Sequence, residues 1–372
     1  MTDYKRWYDM EFSGDDDLKF LMLEAEKIRD ASWGDTVTYS KKVFIPLTNM
    51  CRDECGYCTF VKHPDHPDAN IMSLGEVTKT LREGEQMGCK EALFSLGEKP
   101  ELRYSKAAKI LSGLGYVRMV DYLQDMCEFT LLETSLVPHV NAGTLSIDEI
   151  KQLKPVAASM GMMLESLNMQ LMRKGGPHYR CPDKSPKLRL QTLENTGKLQ
   201  IPFTTGLLIG IGESWQDRID ALMAINEIHL QYGHIQEVII QNFRSKPGTA
   251  MADYPEPDLK EMLKTLAVAR LILDPSISLQ APPNLHQHHA NYLSAGINDW
   301  GGISPLTQDF INPECAWPNI ETLSDHCSRQ GFQLRERLTV YPDYLTTEYV
   351  DKSIIHRLIA TADASGLVTN FR

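Results

Sequence analysis

The chain contains no run approaching the roughly 20 consecutive apolar residues of a membrane span. Its opening, MTDYKRWYDMEFSGDDDLKF, lacks the basic-then-apolar order of a signal peptide, so a cytoplasmic protein is expected. A basic surplus is missing too: 38 Lys and Arg stand against 49 Asp and Glu, and the net charge is −11. A phosphate backbone needs a basic patch, so the balance argues against nucleic acid and for a small-molecule partner. No Pro/Gly/Ser-rich linker and no internal repeat divides the 372 residues, which makes one large domain the economical reading. Cysteine is scarce at eight residues. Structural disulfides are rare in the cytosol, so clustered thiols there point to ligands or catalysis.

What is present is a repeated alternation. Short apolar runs at 43–48, 91–97, 129–137, 161–166, 202–210, 237–243 and 276–281 read as strands, with a weaker eighth at 297–304. Between them lie amphipathic segments with helix start signals: Ser73 with Glu76, Ser146 with Glu149 and Ser214 with Asp217 have capping-box spacing. Strands buried on both faces and alternating with helices indicate parallel βα units. Seven or eight of them favour a (β/α)8 barrel of the TIM type over an open doubly wound sheet. The expected layout is an N-terminal helical leader (1–40), the barrel (41–345) and a C-terminal helical segment packed on it (346–372).

Three of the eight cysteines, Cys51, Cys55 and Cys58, fall in CRDECGYCTF at the carboxyl end of the first strand, the catalytic face of a barrel. A C-x3-C-x2-C loop can bend three thiolates around one iron–sulfur cube and leave the fourth iron without a protein ligand. The competing reading is a zinc site completed by a distant histidine or Cys89. Zinc loops usually pair cysteines as C-x2-C, a different spacing. A simple electron carrier would need a fourth cysteine and far fewer residues. The outlying Cys89, Cys127, Cys181, Cys315 and Cys327 follow no regular spacing and read mostly as small buried hydrophobes.

The C-x3-C-x2-C loop, with Tyr57 before its last cysteine, resembles the radical S-adenosylmethionine (SAM) superfamily. That resemblance implies a [4Fe-4S] cluster on the three cysteines, SAM on the unique iron, and a 5′-deoxyadenosyl radical that abstracts a substrate hydrogen. It also implies SAM contacts at later strand ends. Gly97 and Glu98 resemble the glycine–glutamate motif for the SAM amino group, with Leu96 in place of a first glycine. Glu165 and Ser166 sit where relatives contact the ribose, and Arg180 in PHYRCPD where they place an arginine on the carboxylate. Gly206, Leu208 and Gly210 in GLLIGIGES match the pattern that flanks the adenine, and Tyr57 belongs to its surroundings.

The order and spacing of SLGEKPE, ETSLVPHVNAG, QNFRSKPGTAM, SLQAPPNL and NDWGGISPLTQDFINPE resemble the CofG-type subunit of deazaflavin (FO) synthase. This implies ring closure of a tyrosine-derived hydroxybenzyl–ribityliminouracil adduct with loss of ammonia, in coenzyme F420 biosynthesis. The implied partners are a CofH-type adduct-forming subunit and a low-potential electron donor. The alternatives are the sister adduct-forming enzyme, a menaquinone-pathway relative, and a non-catalytic zinc-stabilised barrel. A uracil and a ribityl chain need donors and acceptors at the barrel mouth, for which His139, Asn141, Gln241, Asn242, His286 and Asp299 are the candidates. The neighbouring His288 and His289 invite a second metal, but no acidic residue stands beside them.

Overall fold

Apolar runs too short for helices form strands wherever both of their faces can be covered. The clearest is Phe203–Ile209, buried at every residue. The computed structural model describes residues 5–8 and 14–369. Eight strands run in chain order: β1 (Thr36–Pro46), β2 (Glu91–Ser95), β3 (Val137–Asn141), β4 (Ser159–Gly161), β5 (Phe203–Ile209), β6 (Ile235–Asn242), β7 (Ser278–Gln280) and β8 (Asp299–Ile303). Each pairs in parallel with the next, and β1 joins both β8 and β2 to close the ring. Helices cover the outside, and the three capping boxes expected at Ser73, Ser146 and Ser214 are all formed. The result is a closed (β/α)8 barrel with helices at both ends of the chain.

Three features differ from the sequence reading. The run expected as the third strand, 129–137, is mostly the end of a helix (Met119–Glu133), and β3 starts only at Val137. Leu123, Met126, Cys127 and Thr130 form a buried stripe at helical spacing, and this stripe extends the helix through an apolar stretch that also suits a strand. Consequently His139 lies inside β3 rather than after it. The fourth strand, Ser159–Gly161, shares only Gly161 with the run expected at 161–166, and Glu165 beyond it is in a left-handed conformation at φ 67°. Finally, β1 begins within the stretch assigned to the leader, and its first half pairs with an unforeseen strand, β9 (Gln333–Glu336).

The segment after β9 plugs the amino-terminal end of the barrel. Arg337 is buried there, donating to Asp299 at 2.6 Å and to Glu237 at 2.8 Å, while Thr38 also donates to Asp299. A second buried pair, Lys42 to Glu91 at 2.7 Å, is completed by the Ser40 hydroxyl at 2.6 Å. Burial opposes ionisation of Glu91, but Lys42 outweighs it and holds the carboxyl down to about 2. Leu338, Val340 and Tyr341 pack below with Ile354, Ile355 and Leu358 of the C-terminal helix (Lys352–Thr361). The barrel bottom is therefore sealed by charge pairs and an apolar floor, which leaves the opposite end for chemistry. Arg337→Met strands two buried carboxylates and should cost about 3–5 kcal/mol in urea denaturation. Arg335→Met, which breaks the part-exposed pair with Asp363, should cost less than about 1 kcal/mol.

Candidate active site

The carboxyl ends of the strands converge on two connected chambers. The outer one, about 270 Å³, is lined by Cys51, Cys55, Cys58, Tyr57, Gly97 and Glu98, together with Glu165, Lys184, Arg189 and Leu208. The inner one, about 200 Å³, reaches down the barrel to Lys42, His139, Glu237, Gln280 and Arg337. Ser95, Asn141, Met162, Met163 and Gln241 line both, so the chambers are continuous. Both also share a wall from the segment after β8, Phe310 to Asn312, and the Phe310 ring lies 6.3 Å from that of Phe60 in the cysteine loop.

The three thiols suit an iron–sulfur cluster. They face a single chamber, and the amides of Asp53 and Glu98 point at the Cys51 sulfur from 3.3 and 3.1 Å, an arrangement that favours a thiolate. Burial raises the Cys51 and Cys58 thiols. Cys55 is instead lowered, first by a hydrogen bond from Cys181 and further by Lys184, against the effect of burial. At Gly97 a Cβ would run into the Met50 carbonyl and the Cys51 side chain, so only glycine lets the tip of β2 lie against the cysteine loop. Soft thiolates, a backbone that donates to sulfur and a chamber next to them are what a three-ligand cluster with one open position needs.

Glu165 organises the rest of the chamber. Its carboxylate accepts from the Tyr57 hydroxyl at 2.5 Å and from Lys184, and His178 Nε2 lies 3.1 Å away. Burial opposes its ionisation, yet Lys184, His178 and Arg189 outweigh that and hold it well below the carboxylate range. Glu98 accepts from the Thr144 amide at 2.7 Å and from its hydroxyl; burial, partly offset by Arg189, pushes it to about 7. Asp53, Glu98 and Asp183 place oxygens within 4.8 Å of one another, but Arg52 grips Asp183 with two bonds and Arg189 lies 4.0 Å from Glu98. Two of the three carboxylates are therefore already paired with arginines.

Several expected contacts lie elsewhere. Arg180 is 65% exposed and pairs with Glu54 outside the chambers. The next residue, Cys181, turns inward, which leaves Arg180 facing out; Lys184 and Arg189, with Arg244 and Lys246, supply the positive charge in the chamber. Ser166 is buried and accepts from the Asn168 amide at 3.1 Å. Gly206 packs against the Ile239 carbonyl, and the Gly210 amide donates to Glu213, so both shape the backbone of β5 without lining either chamber. Asn141 and Gln241 line both chambers, Asn242 the outer and His139 the inner. The His139 ring, 2.7 Å from Ser159 Oγ, is lowered by burial to about 4 and stays neutral near pH 7. Asp299 is committed to Thr38 and Arg337 beneath the floor, and His286 lines neither chamber, its ring instead lying near His288 and Tyr292.

Sequence reasoning missed Lys184, His178, Arg189 and the contact between Cys181 and Cys55. For Arg189 a signal existed: with Pro186, Leu193 and Thr196 it falls on the buried face of its helix (Pro186–Lys198), where an arginine needs an internal partner.

Residues 45–225 match the model of the Radical SAM superfamily. The chain is 45% identical over 331 residues to the 7,8-didemethyl-8-hydroxy-5-deazariboflavin synthase of Methanopyrus kandleri, covering 89% of this chain and 99% of that one. It is 46% identical over 366 residues to the FO synthase of Streptomyces avermitilis; there the match takes in 95% of this chain but only 42% of the longer relative. Among solved structures, methylornithine synthase (PylB) aligns with a TM-score of 0.69 at 17% identity, over 89% of this chain and 93% of that one. The FeFe-hydrogenase maturase HydG of Carboxydothermus hydrogenoformans aligns at 0.70 and 18%, over 94% and 79%. These two establish the shared barrel.

Gly97→Ala should remove most of the iron that anaerobic reconstitution loads, with the far-ultraviolet circular dichroism unchanged. Full iron loading in that variant would show that the contact of the β2 tip with the cysteine loop is dispensable.

Proposed function

Since the chain belongs to the radical SAM superfamily and, within it, to the 7,8-didemethyl-8-hydroxy-5-deazariboflavin (FO) synthase family, we propose that it carries out the ring-closing half of FO formation. The reaction would take the hydroxybenzyl–ribityliminouracil adduct to the deazaflavin with loss of ammonia, making the chain a carbon–nitrogen lyase of the CofG type in coenzyme F420 biosynthesis. The observation that carries this reading is the junction of the two chambers. The three-cysteine chamber opens through Asn141 and Gln241 into a second chamber inside the barrel.

Cys51, Cys55 and Cys58 would hold a [4Fe-4S] cluster. Cluster and SAM together supply, when bound, one-electron cleavage to a hydrogen-abstracting 5′-deoxyadenosyl radical. The chain's own residues bind, orient and exclude water. Lys184 and Arg189 offer cationic partners for the carboxylate of SAM, Glu98 an acceptor for its amino group, and Leu208 an apolar wall for the adenine. Tyr57 and Glu165 hold the cysteine loop against the end of β4. In the inner chamber the carboxamides of Asn141, Gln241 and Gln280 present both donors and acceptors, as a uracil edge and a ribityl chain require. His139 adds a neutral imidazole and Lys42 a cation. A separate adduct-forming enzyme would supply the substrate; the longer FO synthase relatives leave more than half of their length outside the match.

The deciding assay gives the reconstituted protein either preformed adduct or tyrosine plus ribitylaminouracil, each with SAM and a reductant. Deazaflavin should form from the adduct alone. Turnover of the tyrosine pair and not of the adduct would assign the sister reaction instead. Cys55→Ala should abolish both SAM cleavage and product. Gln280→Ala, which alters the inner chamber alone, removes a hydrogen bond worth about 1 kcal/mol, so KM for the adduct should rise roughly fivefold with SAM binding unaffected.

A further inference from the structure

The cysteine loop has an outer face as well as the one that lines the chamber. There a surface cleft of about 760 Å³ is bordered by Arg52, Arg103 and Arg180, with Cys181 reaching it from beneath. It shares no lining residue with either chamber. Leu102 and Tyr179, 63% and 50% exposed, give it apolar surface. The arginines are held in place: Arg52 by Asp183, Arg103 by the Arg52 carbonyl and Glu54, and Arg180 by Glu54 at 3.1 Å. Arg173 and Lys174, both exposed, follow directly on the lining residue Met172 and add cations beside the cleft. The chain as a whole carries −11.

Cys181 connects this cleft to the site. Its sulfur lies 3.6 Å from that of Cys55, so the cleft floor is a single thiol removed from a cluster-holding residue. We infer that the arginine-bordered cleft is the docking site of a small acidic protein that carries one low-potential electron, delivered past Cys181 to the cluster at Cys55. The carrier loses one electron and the cluster gains it; no bond is made or broken. Two acidic proteins repel at long range, but with a Debye length of about 8 Å at physiological salt the local patch governs the encounter. Redox partners of this kind use small interfaces, and a shallow cleft with charged walls and an apolar centre suits one. The inference rests on the radical SAM assignment and extends it to the route by which the cluster is reduced.

The test uses reconstituted holoenzyme and an acidic flavodoxin in its hydroquinone form, with no deazaflavin substrate present. Electron transfer is read in stopped flow from the flavodoxin semiquinone and by electron paramagnetic resonance of the reduced cluster. The expected rate falls steeply with salt, and Arg180→Glu with Lys174→Glu lowers it about tenfold or more. Reduction by dithionite, which needs no docking surface, stays as in the parent. Cys181→Val should slow the flavodoxin reaction at unchanged iron content. A flavodoxin rate indifferent both to salt and to the charge reversals would overturn the proposal. So would self-association of the chain abolished by those same reversals, because a second copy would then own the cleft. Failure to turn over the adduct leaves this readout intact, whereas a colourless preparation without a four-iron cluster would sink the radical SAM reading itself.

Discussion

One buried carboxylate ties the active end of this barrel together. Glu165, four residues beyond β4, has a left-handed backbone conformation that a non-glycine residue adopts only when its surroundings hold it there. What holds it is a set of partners from separate parts of the chain: Tyr57 in the cysteine loop, His178 and Lys184 in the segment before the next helix, and the β5 backbone, whose Gly206 carbonyl accepts from the Glu165 amide at 2.8 Å. A buried charge is tolerable only when it is fully paired. The need to satisfy Glu165 therefore fixes where the cysteine loop sits relative to the strands. The position of the thiols is a consequence of this electrostatic knot as much as of their own spacing.

The two ends of the barrel solve the same problem differently. At the amino-terminal end Arg337 pairs with Asp299 and Glu237, and Lys42 with Glu91, which turns charge into a rigid plug. At the carboxyl end the polar groups are left partly unspent. Asn242 Oδ1 is buried without a partner, and Asn141 and Gln241 look into the chambers. Such incomplete satisfaction is costly in an empty fold and useful in one that awaits a polar ligand.

Much of this was legible in the sequence because it depends on local pattern. The cysteine spacing, the capping boxes and the doubly buried run of β5 depend on residues near one another in the chain, and each is where the sequence places it. The misjudged third strand shows where pattern is ambiguous: an apolar stretch at the end of a helix carries both periodicities, and only the packing of Met126 and Thr130 decides between them. Arg180 lies away from the chambers for another reason. Neighbouring residues in an irregular segment point in opposite directions, and one step of offset exchanges a chamber-facing side chain for an exposed one. The strand β9 and the plug at Arg337 were invisible because their partners lie some 300 positions earlier or on unrelated strands.

The segment Phe310 to Asn312 walls both chambers, so they share one strip of chain as well as a junction. Any occupant that orders this wall from one side alters the affinity of the other side by a factor that holds in both directions. Two occupants would then be linked through it without touching.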